Sequence, residues 1–401
     1  MTDAASRGRF DLIRTVVAVV GLVGLATAAL LSGSDRQSRE FPNSPSLVGW
    51  PYDTGAARAK AALAFVRSGP ESAIGYARRA VLSDPLSAQA VSILGRSYLY
   101  AQHLPEARQA FEVSGQLGWR DDMTQIYWLD QAMQDGDYKV AAERLDALLR
   151  QSPDDENRDK FVAAVAASPE GRAALAVRLK LAPDWARRLS TQVDGLPADQ
   201  LLQRIDLMRR TGKGVWDCAA TEPLTQKLIN QGMLNEAQSV WRLNCEPSNS
   251  LVYDGGFEHF DTLQTTSAFD WQISSGGDAD VALNRDGAGH QTLALEVIST
   301  STLPIVRQLI VLEPGHYRLT WRTPASPRAQ ARAVRVSLSC TPDLSRAANG
   351  TPVPGRPDTW TQDFEIDGEC PARQLVFWLA PRSPIHLGDV SLEEVEDEAD
   401  D

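Results

Sequence analysis

The chain has 401 residues, is 43% hydrophobic and 23% charged, and carries a formal net charge of −12. That length exceeds what one hydrophobic core usually serves, so two or three folded units are expected. The acidic balance excludes nucleic acid as a partner, because phosphate binding needs a basic footprint.

Residues 1–14 contain Arg7, Arg9 and Arg14 and read as a short cytoplasmic N-terminus. Thr15–Leu31, "TVVAVVGLVGLATAALL", has no charge and is almost wholly apolar. As a helix it spans about 26 Å, near the lower limit for crossing a bilayer. The stretch reads as a single transmembrane anchor in a bacterial inner membrane, with the bulk of the chain in the periplasm. Arg36 and Arg39 follow it, so the positive-inside bias is slight. The alternative is a cleaved signal peptide, for which Ala26-Thr27-Ala28 offers a small-x-small site. Residues 32–53 are polar and turn-rich and are expected to be a linker.

From Thr54 the sequence repeats every 34 residues, in segments 54–87, 88–121 and 122–155. Ala73, Ala107 and Ala141 keep this spacing, as do Ala61, Gly95 and Leu129, and Ala77, Phe111 and Leu145. Each segment reads as two amphipathic helices joined by a short turn, such as Gly136-Asp137, and Pro153 stops the last. Leu94, Gly95, Tyr98, Ala107 and Phe111 in "ILGRSYLYAQHLPEARQAF" resemble the tetratricopeptide repeat. The resemblance implies an all-α solenoid over 54–155 that binds a protein partner on its concave face. Residues 156–246 stay helical but lose the register. Gly232, Ala237 and Trp241 restore it in part, which suggests diverged repeats or capping helices.

After Pro247 the period changes to two. "ALEVIST", "IVRQLIVL", "HYRLTWRT", "RVSLSC", "DFEID", "LVFWLA" and "IHLGDVSLEEV" are short alternating segments punctuated by Gly, Pro and Asp. They predict an antiparallel jelly-roll sandwich over 248–396. Residues 397–401 complete an acidic tail, expected to be solvated. The fold expected for the whole is therefore multidomain: a transmembrane helix, an all-α repeat solenoid, then an all-β sandwich.

Four cysteines allow three disulfide connectivities. Pairing within each region is the simplest: Cys218–Cys245 in the helical part and Cys340–Cys370 in the strand-rich part. An oxidising compartment permits both. The opposite membrane topology would leave four reduced thiols.

The order "DGGFE" (Asp254–Glu258), "FDW", "RQLIVLEPGHYRLTW", Thr359-Trp360 and "LGDVSLEEV" resembles the galactose-binding-like jelly rolls, which include many carbohydrate-binding modules. Asp254 stands where that family usually has Asn. The resemblance implies a structural calcium held by Glu258 and Asp389, with Asp254 nearby; the alternative is a hydrogen-bonded turn without metal. Gly255 and Gly256 are expected to supply positive φ or a close backbone approach. For a glycan, strand parity turns Trp378 outward as a stacking platform, and it places Arg318 and Arg322 together on an outer face. The alternatives are packing for Trp378 and a solvated face for the arginines. No H-E-x-x-H, G-x-S-x-G or Walker sequence occurs, and a non-enzymatic adaptor is expected; the alternatives are a purely structural assembly module without sugar binding and a polysaccharide hydrolase or lyase. The combination resembles repeat proteins of exopolysaccharide or envelope assembly.

Overall fold

The structure, a computed structural model, describes residues 3–40, 54–151, 158–245, 250–260, 267–274, 277–324, 334–368, 370 and 372–395. Residues 41–53 of the expected linker, Pro153, Pro247 and the 397–401 tail lie outside the described residues. The chain divides between Arg178 and Leu179 into two compact units.

The first unit opens with α1 (Asp3–Glu40), a continuous helix. Its segment Arg14–Gln37 is long and apolar enough to cross a membrane. Residues 32–40, expected as linker, continue this helix instead. No proline interrupts them, and Asp35 is engaged in folded structure, where it accepts the Ala56 amide at 3.1 Å. Helices α2 (Thr54–Ser68), α4 (Ala88–Tyr100) and α6 (Asp122–Gln134) start 34 residues apart. Their partners α3 (Pro70–Ser83), α5 (Leu104–Leu117) and α7 (Tyr138–Gln151) keep the same interval. They are followed by α8 (Arg158–Ala166) and α9 (Pro169–Leu179).

Small residues fall where helices cross. Ala73, Ala107 and Ala141 are fully buried. A Cβ on Gly95 would lie 3.1 Å from the Phe111 ring, so the ring of α5 packs directly on the α4 backbone there. Caps set the starts: Ser87 accepts the Ala90 amide, and Asp121 accepts Thr124 N–H at 2.8 Å and the Ser92 hydroxyl at 2.9 Å. Across α7 and α9, the buried Asp146 carboxylate accepts Arg150 Nε at 2.8 Å and Arg178 Nη2 at 2.7 Å.

The second unit joins α11 (Ala198–Thr211), α12 (Cys218–Asn230) and α13 (Leu234–Asn244) to two antiparallel sheets. The five-stranded sheet has β4 (Leu303–Val311), β10 (Ala372–Leu379) and β6 (Arg335–Ser339) at its centre, flanked by β1 (Gln272–Ile273) and β7 (Ala348–Asn349). The six-stranded sheet runs β2 (Ala279–Arg285), β3 (Gln291–Val297), β11 (Ile385–Glu394), β5 (Gly315–Arg322), β9 (Thr359–Ile366), β8 (Thr351–Pro352). Consecutive strands repeatedly fall in opposite sheets, as a sandwich requires. One cluster containing Phe257, Trp271, Trp321, Trp360 and Phe377 fills the space between them.

Cys218 and Cys245 are bonded, as are Cys340 and Cys370. The first pair closes the α12–α13 hairpin. Trp241 of that hairpin packs edge-on against Tyr253, 4.6 Å between centroids, so the hairpin and the sandwich share apolar contacts. Gln308 of β4 bonds both the N–H and the C=O of Tyr253, at 3.1 and 3.0 Å, which pins the turn-rich entry segment to the sheet.

Candidate functional site

Two places stand out, one in each unit. In the first, α4, α6 and α8 line a groove of about 470 Å³. Leu99, Tyr100, Met123, Ile126, Tyr127 and Met133 supply most of its apolar wall. Tyr100 is 60% exposed, and the Arg96 guanidinium lies 4.4 Å from the Phe65 ring and 5.9 Å from the Tyr100 ring. Tyr100 and Met123 are exposed and Leu99, Ile126 and Met133 half-buried, so the groove presents an apolar surface suited to an apolar segment of another chain.

In the second unit, the outward side of the six-stranded sheet carries a charged cluster around Arg322. Register sets it. Asn284 pairs with Thr292, Gly388 pairs with Arg322, and Arg322 pairs with Thr359. Thr292 and Gly388 are adjacent, since a Cβ on Gly388 would lie 3.0 Å from the threonine methyl. Arg322 donates to Asp358 from Nε and Nη2, at 3.1 and 2.8 Å, and to Asp389 from Nη1 at 2.6 Å. Asp286 lies 3.7 Å away, and His290 Nδ1 is 3.7 Å from Asp286 and 4.0 Å from Asp389.

Each member is placed by local chemistry. Asp286 opens the β2–β3 turn, where its carboxylate accepts the amides of Ala288 and His290, both at 2.9 Å. Desolvation acts to raise its carboxyl, but those two amides, His290 and Arg322 together hold it below the ordinary range. The Arg322 hydrogen bond holds Asp358 low as well, and the Asp358 and Asp389 bonds push Arg322 up. Asp389 sits at φ +49° in a bulge between Gly388 and Ser391, which swings its carboxylate onto Arg322.

Several expected site residues lie elsewhere. Trp378 does point away from the inter-sheet core, but it is 7% exposed. Leu344, Ala347 and Val376 cover it, and its indole N–H donates to Ser337 at 2.8 Å. The covering segment follows Cys340, whose bond to Cys370 ties it down. It is a packing residue, not a platform. Arg318 pairs with both oxygens of Asp363, at 2.7 and 3.0 Å, and is not joined to Arg322.

The calcium set also changes. The potential ligand atoms of Asp254, Glu258 and His259 lie within 4.8 Å of one another. Asp389 is not among them, its Oδ2 being taken by Arg322. Asp254 already accepts the amides of Glu258 and His259, and burial raises its carboxyl. One imidazole, one exposed glutamate and a carboxylate saturated by amides fit calcium poorly, since that ion takes six to eight hard oxygens. The arrangement is a turn: Phe257 N–H reaches the Asp254 carbonyl at 2.9 Å and drives the Phe257 ring into the core. Asp254 and Phe257, not the glycines between them, adopt positive φ. Gly255 serves close approach instead, because a Cβ there would lie 1.8 Å from the Val390 carbonyl.

Asp286, His290 and Asp358 were not singled out from sequence. The turn "RDGAGH" (Arg285–His290) was the available signal, but only register shows that it opens beside Arg322.

No protein-family profile matches the sequence, and no curated protein matches it. Among solved structures, the enzymatically active domain of bacteriophage CBA120 tailspike protein 4 matches with 16% identity. That match covers 39% of this chain and 23% of that one, with a TM-score of 0.27, so the chain spans under a quarter of that domain. A CBM4 structure matches with 21% identity, covering 36% of this chain and 99% of that one, TM-score 0.26. TmCBM61 in complex with beta-1,4-galactotriose matches with 14% identity, covering 37% and 100%, TM-score 0.25. At such scores these likenesses decide nothing by themselves; the sandwich is established by its own strand order and register.

Proposed function

We propose that the protein is a single-pass, membrane-anchored adaptor outside the cytoplasm, of the kind that serves polysaccharide or envelope assembly. In this reading the 34-residue helical array, of tetratricopeptide type, holds a partner protein, and the sandwich contacts a glycan. The apolar stretch of α1 and two disulfides support the location. The open groove on α4, α6 and α8 is the observation that carries the adaptor role. A peptide with aromatic or aliphatic anchors fills such a groove and covers Tyr100 and Ile126.

On the sandwich, the Arg322 cluster is the place where hydroxyls would find both donors and acceptors. Three carboxylates surround one arginine, so the cluster favours neutral or amine-bearing sugars over uronates. Binding, not glycoside cleavage, fits its electrostatics. A general acid needs a raised carboxyl, and Asp286 and Asp358 are held low.

Photo-crosslinking from position 126 in intact cells, followed by sequencing of the adduct, tests the groove. The synthetic segment so identified should bind wild type and lose at least about tenfold in affinity to Ile126→Arg. Equal binding by the variant would sink the groove. Affinity electrophoresis through neutral, aminated and uronate polysaccharides tests the sandwich. Retardation that Arg322→Met abolishes supports glycan contact there. Free migration through all three gels leaves the sandwich as an assembly module.

A further inference from the structure

The first helical hairpin differs from the rest of the array in charge and in what lies beside it. Residues 54–87 hold Arg58, Lys60, Arg67, Arg78 and Arg79 against Glu71 and Asp84, a net +3 in a chain of −12. Residues 88–121 are neutral, with three charges of each sign, and 122–155 carry −5, with eight acidic residues against three basic ones. Charge therefore falls steadily along three segments of equal length.

The basic end is the end tied to α1. Among the described residues of Arg14–Gln37, only Ala28, Leu31, Ser34 and Asp35 are covered or partly covered. They recur every three or four residues, so they form one stripe. The helix packed against α1 is α2, and Asp35 accepts the Ala56 amide in its first turn. Ala28 and Leu31 belong to the last turns of the apolar stretch. Helix α2 thus begins where a bilayer's hydrocarbon would give way to headgroups.

The hairpin's outer side has a composition matched to that depth. Tyr76, Arg79, Leu82 and Leu86 are spaced by three, three and four residues along α3 and the turn after it. Leu82 and Leu86 are 77% and 79% exposed, and Tyr76 is 45% exposed. At the end of α2, Val66 is 80% exposed beside exposed Arg67. Aliphatic residues that enter the interface, a tyrosine at its level and arginines to meet phosphates are the elements of surface binding.

We propose that the α2–α3 hairpin lies on the anionic headgroups of the bilayer that α1 crosses, so that the array is fixed to the membrane surface at its basic end. The proposal rests on the reading of α1 as a membrane span. The acidic third segment, which contributes α6 to the groove, is repelled by the same surface.

The test uses the full chain in nanodiscs of phosphatidylcholine alone or with about one third phosphatidylglycerol. A fluorophore is attached at Leu82→Cys, or at Val177→Cys on α9 as the comparison, and quenching by headgroup-nitroxide lipid is read. In anionic discs, quenching at 82 should exceed that at 177 by at least about threefold. The excess should vanish in phosphatidylcholine discs, at high salt and in the double variant Arg67→Glu, Arg79→Glu. Equal quenching at 82 and 177 in anionic discs overturns the proposal while α1 still anchors the protein. An excess indifferent to lipid charge, or one traced to contact between two copies, overturns it too. Failure of the chain to enter any disc would overturn the span itself.

Discussion

The helical array leaves large aromatic side chains facing solvent, whereas the sandwich hides its tryptophans and tyrosines. Tyr100, Met123 and Trp119 are open on the array. Every described Trp and Tyr of residues 250–395 is buried or half-buried. An exposed aromatic on a repeat surface costs little in folding and is available to a partner. A buried aromatic between sheets stabilises the fold and is available to nothing. In the proposed adaptor, binding by the array would rest on apolar burial, and binding by the sandwich on polar groups such as those around Arg322.

The sharpest way to break this comparison is Trp378→Ala. If the indole is packing, as its covering by Leu344 and Ala347 requires, removal should cost about 3–4 kcal/mol of sandwich stability. Urea unfolding followed by near-ultraviolet dichroism would read that loss. A variant as stable as wild type would restore Trp378 as a surface residue. Tyr100→Ala is the counterpart: one exposed ring of the groove wall is lost with a change in stability of about 0.5 kcal/mol or less.

Smaller but more diagnostic is Arg322→Met. It leaves Asp286, Asp358 and Asp389 facing one another, and the loss of Arg322 should cost about 1 kcal/mol or less near neutral pH, because solvent screens the cluster. The sign follows from the depressed carboxyls. Their contribution is present above the unfolded value of about 3.8 and is lost as pH falls through the lower folded values. Wild type should therefore lose stability below about pH 4, and the variant should lose much less over that range. Identical acid profiles would show that the arginine does not organise the cluster.

A seam within the second unit gives the opposite slope. Burial, and then Asp270, push the Glu222 carboxyl up to about 7 against a hydrogen bond from Ser267 that acts to lower it. The folded state thus keeps a proton that the unfolded chain releases near 4.5. Stability from this group is full at low pH and declines as pH rises from about 4.5 to 7. Glu222→Gln should flatten that decline in thermal melts, leaving the acid loss near Arg322 in place. An unchanged slope would place Glu222 in water.

How much could be read in advance follows from the distance in sequence between interacting residues. The array's contacts lie within one or two periods, so spacing alone made Ala73, Ala107 and Ala141 equivalent, and all three are buried. Strand alternation was equally legible, including the outward parity of Trp378. What alternation does not carry is the second layer over a sheet, here the segment after Cys340. Nor does it carry the pairing of Arg322 with Asp358 and Asp389, 36 and 67 residues away. Asp389 and Arg322 were both noticed, but for separate roles. A bulge that turns one carboxylate, together with strand order, made them one cluster.

The finest contrast lies inside the repeat itself, in how its turns are closed. Two repeat helices, and α12 of the second unit, end on the same backbone bond, with His103 N–H reaching the Tyr98 carbonyl, Asp137 reaching Ala132, and Met233 reaching Leu228, at 2.8–2.9 Å. Each needs one left-handed residue. Gly136 and Gly232 supply it at φ +72° and +75°, but Gln102 occupies the matching position at φ +64°. A side chain there clashes with its own backbone, at a cost of about 1–2 kcal/mol. Glycine removes the clash but gives the unfolded chain more freedom, which offsets about half of the gain. Gln102→Gly should thus stabilise the first unit by about 0.5–1 kcal/mol, and Gly136→Gln should destabilise it by about the same amount. Thermal melts of the two single variants and the double exchange would separate turn geometry from side-chain contacts. If the exchange leaves the array as stable as wild type, the turns are equivalent and the glutamine is a strained member of a repeated design. If Gln102→Gly is destabilising, the glutamine makes a contact that outweighs its backbone strain.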